Sequence, residues 1–449
     1  MRPRERFGTR WGFVLAAVGS AVGLGNMWRF PYVAAENGGA AFVLLYVVMI
    51  VLLGIPLMLC ELSVGRRARL SPIGALRTLG GSRWVPLGLL FVVTGFLILS
   101  YYSVIAGWTL RYAIEAASGG FWAEPGTHFD RISEGPAAVG WHVAFMVLTI
   151  GIVMAGVRKG IERAALVLMP TLFLIILGLA VWAVLLEGSS DGYRYFIQPA
   201  PHQLLDPSVL AQAMSQAFFS LSLGMGAMLT FASYLGRSAD LNREAVTISM
   251  ADFAVAFMAG LVVFPVAFAL GLQDEISEST IGALFIALPA AFEGMGATGR
   301  IVGVLFFVAL GVGALTSAIS ILEVVTASVI DELGAERGRA AVGIGASIGV
   351  AGLASALNTD VLGLVDQIAG DLFLVVGALF LTLFVGWSRR QGSLAELATG
   401  AGPRFRSALP FVGFLVRWVL PPVIVFVLWF AVRDTWSELR AFASLWEPG

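Results

Sequence analysis

The chain has 449 residues, of which 58% are hydrophobic and 13% charged, with a formal net charge of −1. Soluble proteins carry charge at about a quarter of their positions. A mean hydropathy of +0.87 therefore excludes a soluble domain, and the near-neutral balance argues against a nucleic-acid partner. The single Cys60 excludes an intramolecular disulfide and a thiolate metal cage, and His128, His142 and His202 show no ligand spacing.

The first apolar run begins at Trp11, behind Arg2, Arg4, Arg6 and Arg10, and continues through Arg29 with no small-residue cleavage site. It reads as a retained first span rather than a signal peptide. A crossing takes about 20 apolar residues. Candidates lie near 11–34, 40–62, 85–116, 139–155, 162–187, 209–236, 244–272, 299–332, 340–357, 361–388 and 409–433. Eleven spans in one transmembrane domain, residues 1–449, are expected.

Basic residues give the orientation. They precede span one and follow span two (Arg66, Arg67, Arg69, Arg77, Arg83), span four (Arg158, Lys159, Arg163), span six (Arg237, Arg243), span eight (Arg337, Arg339) and span ten (Arg389, Arg390, Arg404, Arg406). The opposite loops carry Glu115, Glu124, Asp130, Glu134, Asp274, Glu275, Glu278 and Glu293. The positive-inside rule places the N-terminus in the cytoplasm and, after an odd number of spans, the C-terminus outside. Ile281 to Phe292 is too short to cross and is expected to cap the bundle from outside, beside the external loop 117–138.

Span one contains VGSAVGLGNMWRFPY, Val18 to Tyr32, with Gly19, Gly23, Gly25, Asn26, Arg29 and Pro31. A broken helix in lipid exposes backbone polar groups and is tolerated where they line a cavity. Freed carbonyls can take a cation and freed N–H groups a carboxylate. Gly19 and Gly23 also have the spacing of close helix packing, but Asn26 beside Gly25 does not. Span six contains FFSLSLGMGAM, in which Ser220 and Ser222 would leave one face of a continuous helix. Interrupted spans at corresponding positions point to a transporter site between repeats. The repeats are expected at about 11–187 and 209–388, with an extra helix at 409–433.

AVGLGNMWRFPY, followed by ENGGAAFVLLY, GIPLMLCELSVGR, SLSLGMG and ALTSAIS, resembles the neurotransmitter:sodium symporter family from Arg4 to about Gly386. The resemblance implies an all-α membrane protein of the LeuT-type fold, a 5+5 inverted repeat with broken helices one and six and eleven transmembrane helices. It implies sodium-driven uptake of an amino acid or related amine, here across a bacterial cytoplasmic membrane, with two sodium ions.

By motif, one sodium set resembles the Ala21 carbonyl, Asn26, Ser220 and Asp252, completed by the substrate carboxylate. The other resembles the carbonyls of Gly19, Val22 and Gly313 with the hydroxyls of Thr316 and Ser317. Adjacent hydroxyls at 316 and 317 also suit ordinary bonding to their own helix. Substrate contacts resemble Ala21, Gly25, Ile98, Tyr102, Phe219, Ser220, Ser222, Met225, Ser317 and Ile321. Ile98, Phe219, Met225 and Ile321 are apolar, so a hydrophobic L-amino acid, aromatic ones included, is expected; flexible Met225 leaves room for a ring. Arg29 and Asp366 resemble an outer gate. Arg4 and Asp331 resemble an inner one, supported by Tyr234, with Phe7 where the family often has Trp. Asp331 follows Ser317 by fourteen residues, about 21 Å along a helix.

Asp252 departs from the family's amide at that position. An acid in mid-span is costly, and its charge beside sodium would replace a bound chloride, which predicts chloride-independent transport. Glu61 suits either capping of backbone N–H groups or an interfacial position. A proton-coupled carrier and an amino-acid-binding sensor of the same fold are the alternatives; a channel fits paired breaks and gates less well. No nucleophile–base pair suggests an enzyme.

Overall fold

The computed structural model describes residues 4–119, 124–199, 201–272 and 283–444. Asp274, Glu275, Glu278 and Ile281, which entered the loop and cap assignments above, lie outside them. Among the described residues the chain is helical throughout. Among the described residues nine helices are long and apolar enough to cross a membrane, and a bent pair makes ten if it is counted as one span.

That pair is α1 (Arg10–Ala21) and α2 (Gly25–Glu36), bent by 60° across the break. The Thr9 hydroxyl caps the start of α1 by accepting from Gly12 N. The helix ends where Val22 turns to extended geometry. Next come α3 (Ala40–Ala68), the short α4 (Pro72–Gly80), α5 (Ser82–Ser118), α6 (Pro125–Ser133), α7 (Gly135–Met154), α8 (Val157–Ala183) and the short α9 (Ser189–Ile197).

The expected sixth span divides into α10 (Pro207–Ser220) and α11 (Ala227–Ala232). Each half is too short to span alone, which is the physical meaning of the interruption. Between them Ser222 sits at φ 52°, Gly224 at φ 92° and Gly226 at φ 75°. Gly224 has a second reason to lack a Cβ, which would lie 2.2 Å from the Leu374 carbonyl oxygen.

The chain continues as α12 (Leu241–Leu270), α13 (Leu284–Gly294), α14 (Gly296–Leu333), α15 (Arg337–Leu357), α16 (Thr359–Ser388), α17 (Arg390–Ala398) and α18 (Pro403–Ser437). Asp240 caps α12 and Asn358 caps α16 by accepting backbone N–H groups. Gly271 and Gly334 end α12 and α14 in the left-handed conformation. The cap expected at 281–292 is helical from 284, and Phe285 packs on Trp108, Tyr112 and Phe129 over the ends of α5 and α6.

Long α5 and α14 pack extensively on each other, and α1, α8 and α12 close around them. The outward faces carry lipid-compatible side chains such as Leu174, Leu177 and Val181 of α8. Both broken spans lie inside this bundle, as the cost of unpaired backbone in lipid requires.

Candidate functional site

The first break and the start of the second meet at Asp252 of α12. Asn26 Nδ2 donates to Asp252 Oδ1 at 2.7 Å, to the Asp252 carbonyl at 3.2 Å and to Ser220 Oγ at 3.0 Å. The Ser220 hydroxyl donates to Asp252 Oδ2 at 2.7 Å, and the Tyr46 hydroxyl to the same oxygen at 3.4 Å. Asn26, Tyr46 and Asp252 are fully buried. Among the described residues no arginine or lysine pairs with Asp252; its neighbours are amide and hydroxyl groups. Nor do the described residues hold a metal-ligand cluster of three His, Cys, Asp or Glu. Such a set suits a hard cation taken by carbonyl, hydroxyl and one carboxylate oxygen, not a soft metal.

A second oxygen group lies between α1 and α14. Ser317 Oγ is 3.2 Å from the Val22 carbonyl and 3.3 Å from that of Gly19. Thr316 Oγ1 donates to the Gly313 carbonyl at 3.0 Å, so the expected bonding to its own helix is present. Gly313 also abuts the backbone of Gly23. All five residues of this expected set are thus brought together.

A cavity of about 50 Å³ separates the two breaks, and all ten residues expected to contact substrate line it. Its polar side holds the Tyr102 hydroxyl, which accepts from Leu24 N at 3.3 Å. Its other side is Ile98, Phe219, Met225, Ile321 and Leu374. A Cβ on Gly25 would meet the Phe219 ring at 2.8 Å, so glycine lets this ring lie against the break. Above, a vestibule of about 480 Å³ shares Leu24, Gly25, Tyr101, Tyr102 and Phe219 with the smaller cavity. Phe219 and Tyr102 form the partition. A larger apolar crevice at the ends of α5 and α16, lined by Trp84 and Trp387, is remote from both breaks.

Arg29 stands in the vestibule with its guanidinium over the Phe219 ring, 4.6 Å from the centroid. Its ion-pair partner is Asp371, at 3.3 Å, not the expected Asp366. Asp366 lines the same vestibule but faces the Tyr101 hydroxyl. The cause lies in α16, where Gln367–Phe373 is a π-helical turn. Hydrogen bonds there run from i to i+5, so Asp371 comes round to the face that Asp366 occupies.

At the opposite end Arg4 Nη1 lies 2.5 Å from both carboxylate oxygens of Asp331, and Nη2 donates to Ser233 Oγ at 2.7 Å. Its guanidinium covers the Tyr234 ring at 4.7 Å. Phe7 packs edge-on against Phe13, Phe231 and Tyr234. Glu162 of α8 anchors the strand before α1 by accepting from Gly8 N at 2.6 Å, Thr9 N at 3.0 Å and the Thr9 hydroxyl at 2.8 Å.

A second network at this end was not anticipated from the sequence. The Tyr234 hydroxyl donates to Glu323 Oε1. Glu323 is fully buried and takes both Arg337 Nη atoms, at 2.7 and 2.9 Å. Arg337 also donates to Glu5 Oε1 at 2.8 Å, and Glu5 Oε2 accepts from Val157 N at 2.7 Å. An acid inside apolar span eight was the available signal, of the same kind that identified Asp252. Glu61 resolves its two alternatives: it is buried and accepts from Gly224 N at 2.9 Å and Leu229 N at 3.1 Å, across the second break.

Comparisons with known proteins agree with this architecture. YhdH, an uncharacterized sodium-dependent transporter of Bacillus subtilis, is 35% identical over 441 residues, covering 94% of this chain and 96% of its own. The sodium-dependent neutral amino acid transporter B(0)AT2 of Bos taurus is 31% identical over 59% of this chain and 40% of its own. The crystal structure of MhsT in complex with L-phenylalanine superposes with a TM-score of 0.86 at 40% identity, over 96% of this chain and 100% of MhsT, and the two share the LeuT-type fold. The profile of the Sodium:neurotransmitter symporter family matches residues 4–130 and 115–441. The chain is a multi-pass membrane transporter, not an enzyme, and it belongs to the sodium:neurotransmitter symporter family.

Proposed function

We propose that the protein imports a hydrophobic L-amino acid, aliphatic or aromatic, together with two sodium ions and without chloride, by alternating access across a bacterial cytoplasmic membrane. The N-terminus is cytoplasmic and the C-terminus outside, so the Arg29 end faces out and the Arg4 end faces in. The observation that carries the reading is a cavity between the two broken spans, with a polar and an apolar half, whose lining includes all ten residues expected to contact substrate and which adjoins the buried Asp252 cradle. The carboxylate of the substrate would meet Tyr102 and the backbone of the first break, and its side chain the pocket of Ile98, Phe219, Met225 and Ile321. MhsT was crystallised with L-phenylalanine, which supports an aromatic substrate here.

Sodium at Asn26, Ser220 and Asp252, with the Ala21 carbonyl, would present a positive charge to the substrate carboxylate. The second ion would sit among Gly19, Val22, Gly313, Thr316 and Ser317 and tie the first span to α14. Both ions drive the cycle only through unequal affinity for the outward and inward states. The Asp252 carboxylate supplies next to sodium the negative charge that a bound chloride supplies in chloride-dependent relatives.

Uptake of labelled L-phenylalanine and L-leucine into proteoliposomes tests the reading. Accumulation is expected under an inward sodium gradient, unchanged when gluconate replaces chloride. Binding without accumulation would favour a sensor, and accumulation driven by a proton gradient alone would favour a proton-coupled carrier. Collapse in gluconate would overturn chloride independence.

A further inference from the structure

Helix α16 offers the vestibule's arginine two acids, while Glu36, which also lines the vestibule, belongs to α2, the helix that carries Arg29 itself. Arg29, Asp366 and Asp371 all line the vestibule. The two carboxylates are five residues apart and are brought to one face by the π-helical turn at Gln367–Phe373. In a regular α-helix five residues turn well past one revolution, and Asp371 would point away from Asp366. The helix runs from its cap at Asn358 inward, so Asp371 lies about one turn deeper than Asp366.

The Arg29 pair is loose. One nitrogen lies 3.3 Å from one oxygen of Asp371, and the side chains remain 24% and 28% exposed. At the other end Arg4 holds both oxygens of Asp331 at 2.5 Å. Arg29 meanwhile rests on Phe219, the ring that partitions vestibule from pocket. Asp366 is engaged with Tyr101, which with Tyr102 lines the pocket. The gate is therefore poised, with the guanidinium charge-compensated yet Asp366 not committed to it.

We propose that Asp371 is a second station of the outer gate. It holds Arg29 while the vestibule is open, and the guanidinium passes to Asp366 when the site occludes. This inference rests on the transport reading above. Two acids on one face keep the cation paired through the exchange, so this partly exposed charge is never left without a partner. Asp371 acts by positioning Arg29, not by touching substrate.

The two acids then have opposite effects, and this is the test. A reporter thiol is introduced by Ile105→Cys, at a residue lining the vestibule, with the buried Cys60 replaced in the same protein by Cys60→Ala. Labelling by a water-soluble thiol reagent is followed in sodium. Asp371→Asn leaves Arg29 only the closing partner, so labelling is expected to slow by about threefold, within the range for a partly exposed ion pair. Asp366→Asn is expected to speed it by a similar factor. Asp371→Glu, which keeps the charge, is expected to label at the rate of the parent. Labelling needs no knowledge of the substrate, so it decides the station even if phenylalanine is not carried. Where sodium-dependent phenylalanine binding is measured in parallel, its release follows the same order, slower in Asp371→Asn and faster in Asp366→Asn. Equal shifts of the same sign in the two Asn variants, an unchanged rate in Asp371→Asn, or a Glu variant no different from Asn would overturn the proposal. Absence of sodium-dependent binding in the parent would instead count against the transport reading.

Discussion

Arg4 and Asp331 form a two-oxygen ion pair, both carboxylate oxygens lying 2.5 Å from one guanidinium nitrogen, across 327 residues of chain. The same carboxylate accepts from Ser71 N at 2.7 Å, so it also fixes the loop after α3. The pair is partly buried, and its loss releases the strand that leads into α1. Arg4→Ala is expected to raise hydrogen–deuterium exchange in α1 while α5 stays protected, because local opening follows the contacts that are removed. Unchanged exchange in α1 would deny the pair a latching role.

The Glu323–Arg337 pair makes a sharper energetic prediction. Glu323 is fully buried, so Arg337→Gln strands its charge. Breaking one side of a buried pair costs about 3–5 kcal/mol, and a lowered melting temperature in detergent is expected. Glu323→Gln combined with Arg337→Gln removes both charges and should recover part of the loss. A double variant as unstable as the sum of the singles would show that the pair is not what holds this end.

Asp252→Asn keeps the shape of the cradle and removes its charge. If the carboxylate faces sodium, uptake in proteoliposomes should fall by about tenfold, the loss of one charge-assisted interaction. Chloride should then restore part of it. A variant with parental sodium dependence and no response to chloride would refute the assignment.

The second break depends on Gly224, whose φ is 92° and whose absent Cβ would lie 2.2 Å from the Leu374 oxygen. Gly81 has φ 87° with nothing within 4 Å of the same position. Gly81→Ala is expected to cost only backbone strain, about 1 kcal/mol. Gly224→Ala adds a clash with backbone and should lower the melting temperature further and abolish phenylalanine binding. Equal effects of the two substitutions would mean that α16 yields at this contact.

Much of this site was legible before any coordinates. A glycine run with Asn26, a second with Ser220 and Ser222, and an acid at 252 are costly in lipid unless they bind something, and the fold brings the two breaks around one cavity with Asn26 and Asp252 joined beside it. The long apolar spans were legible for a related reason, since the hydrocarbon thickness fixes their length, whereas the expected eleven compares with nine spanning helices and one bent pair among the described residues. What escaped was pairing across helices. Asp371 reaches Arg29 only because α16 takes a π turn, and nothing in the local composition marks that turn. Glu323 and Arg337 are fourteen residues apart and separated by the α14–α15 turn, so their contact depends on how the chain reverses there. Glu61 could be read two ways until its burial and its two N–H donors were seen.

The Glu162 anchor has a practical consequence. Residues 4 to 9 are structural parts of the closure at this end of the bundle, with Arg4, Glu5, Gly8 and Thr9 each committed to a partner elsewhere in the bundle. An affinity tag or fluorescent fusion placed immediately before them would pull on the closure itself, so purification handles and reporters for kinetic work belong on the other terminus.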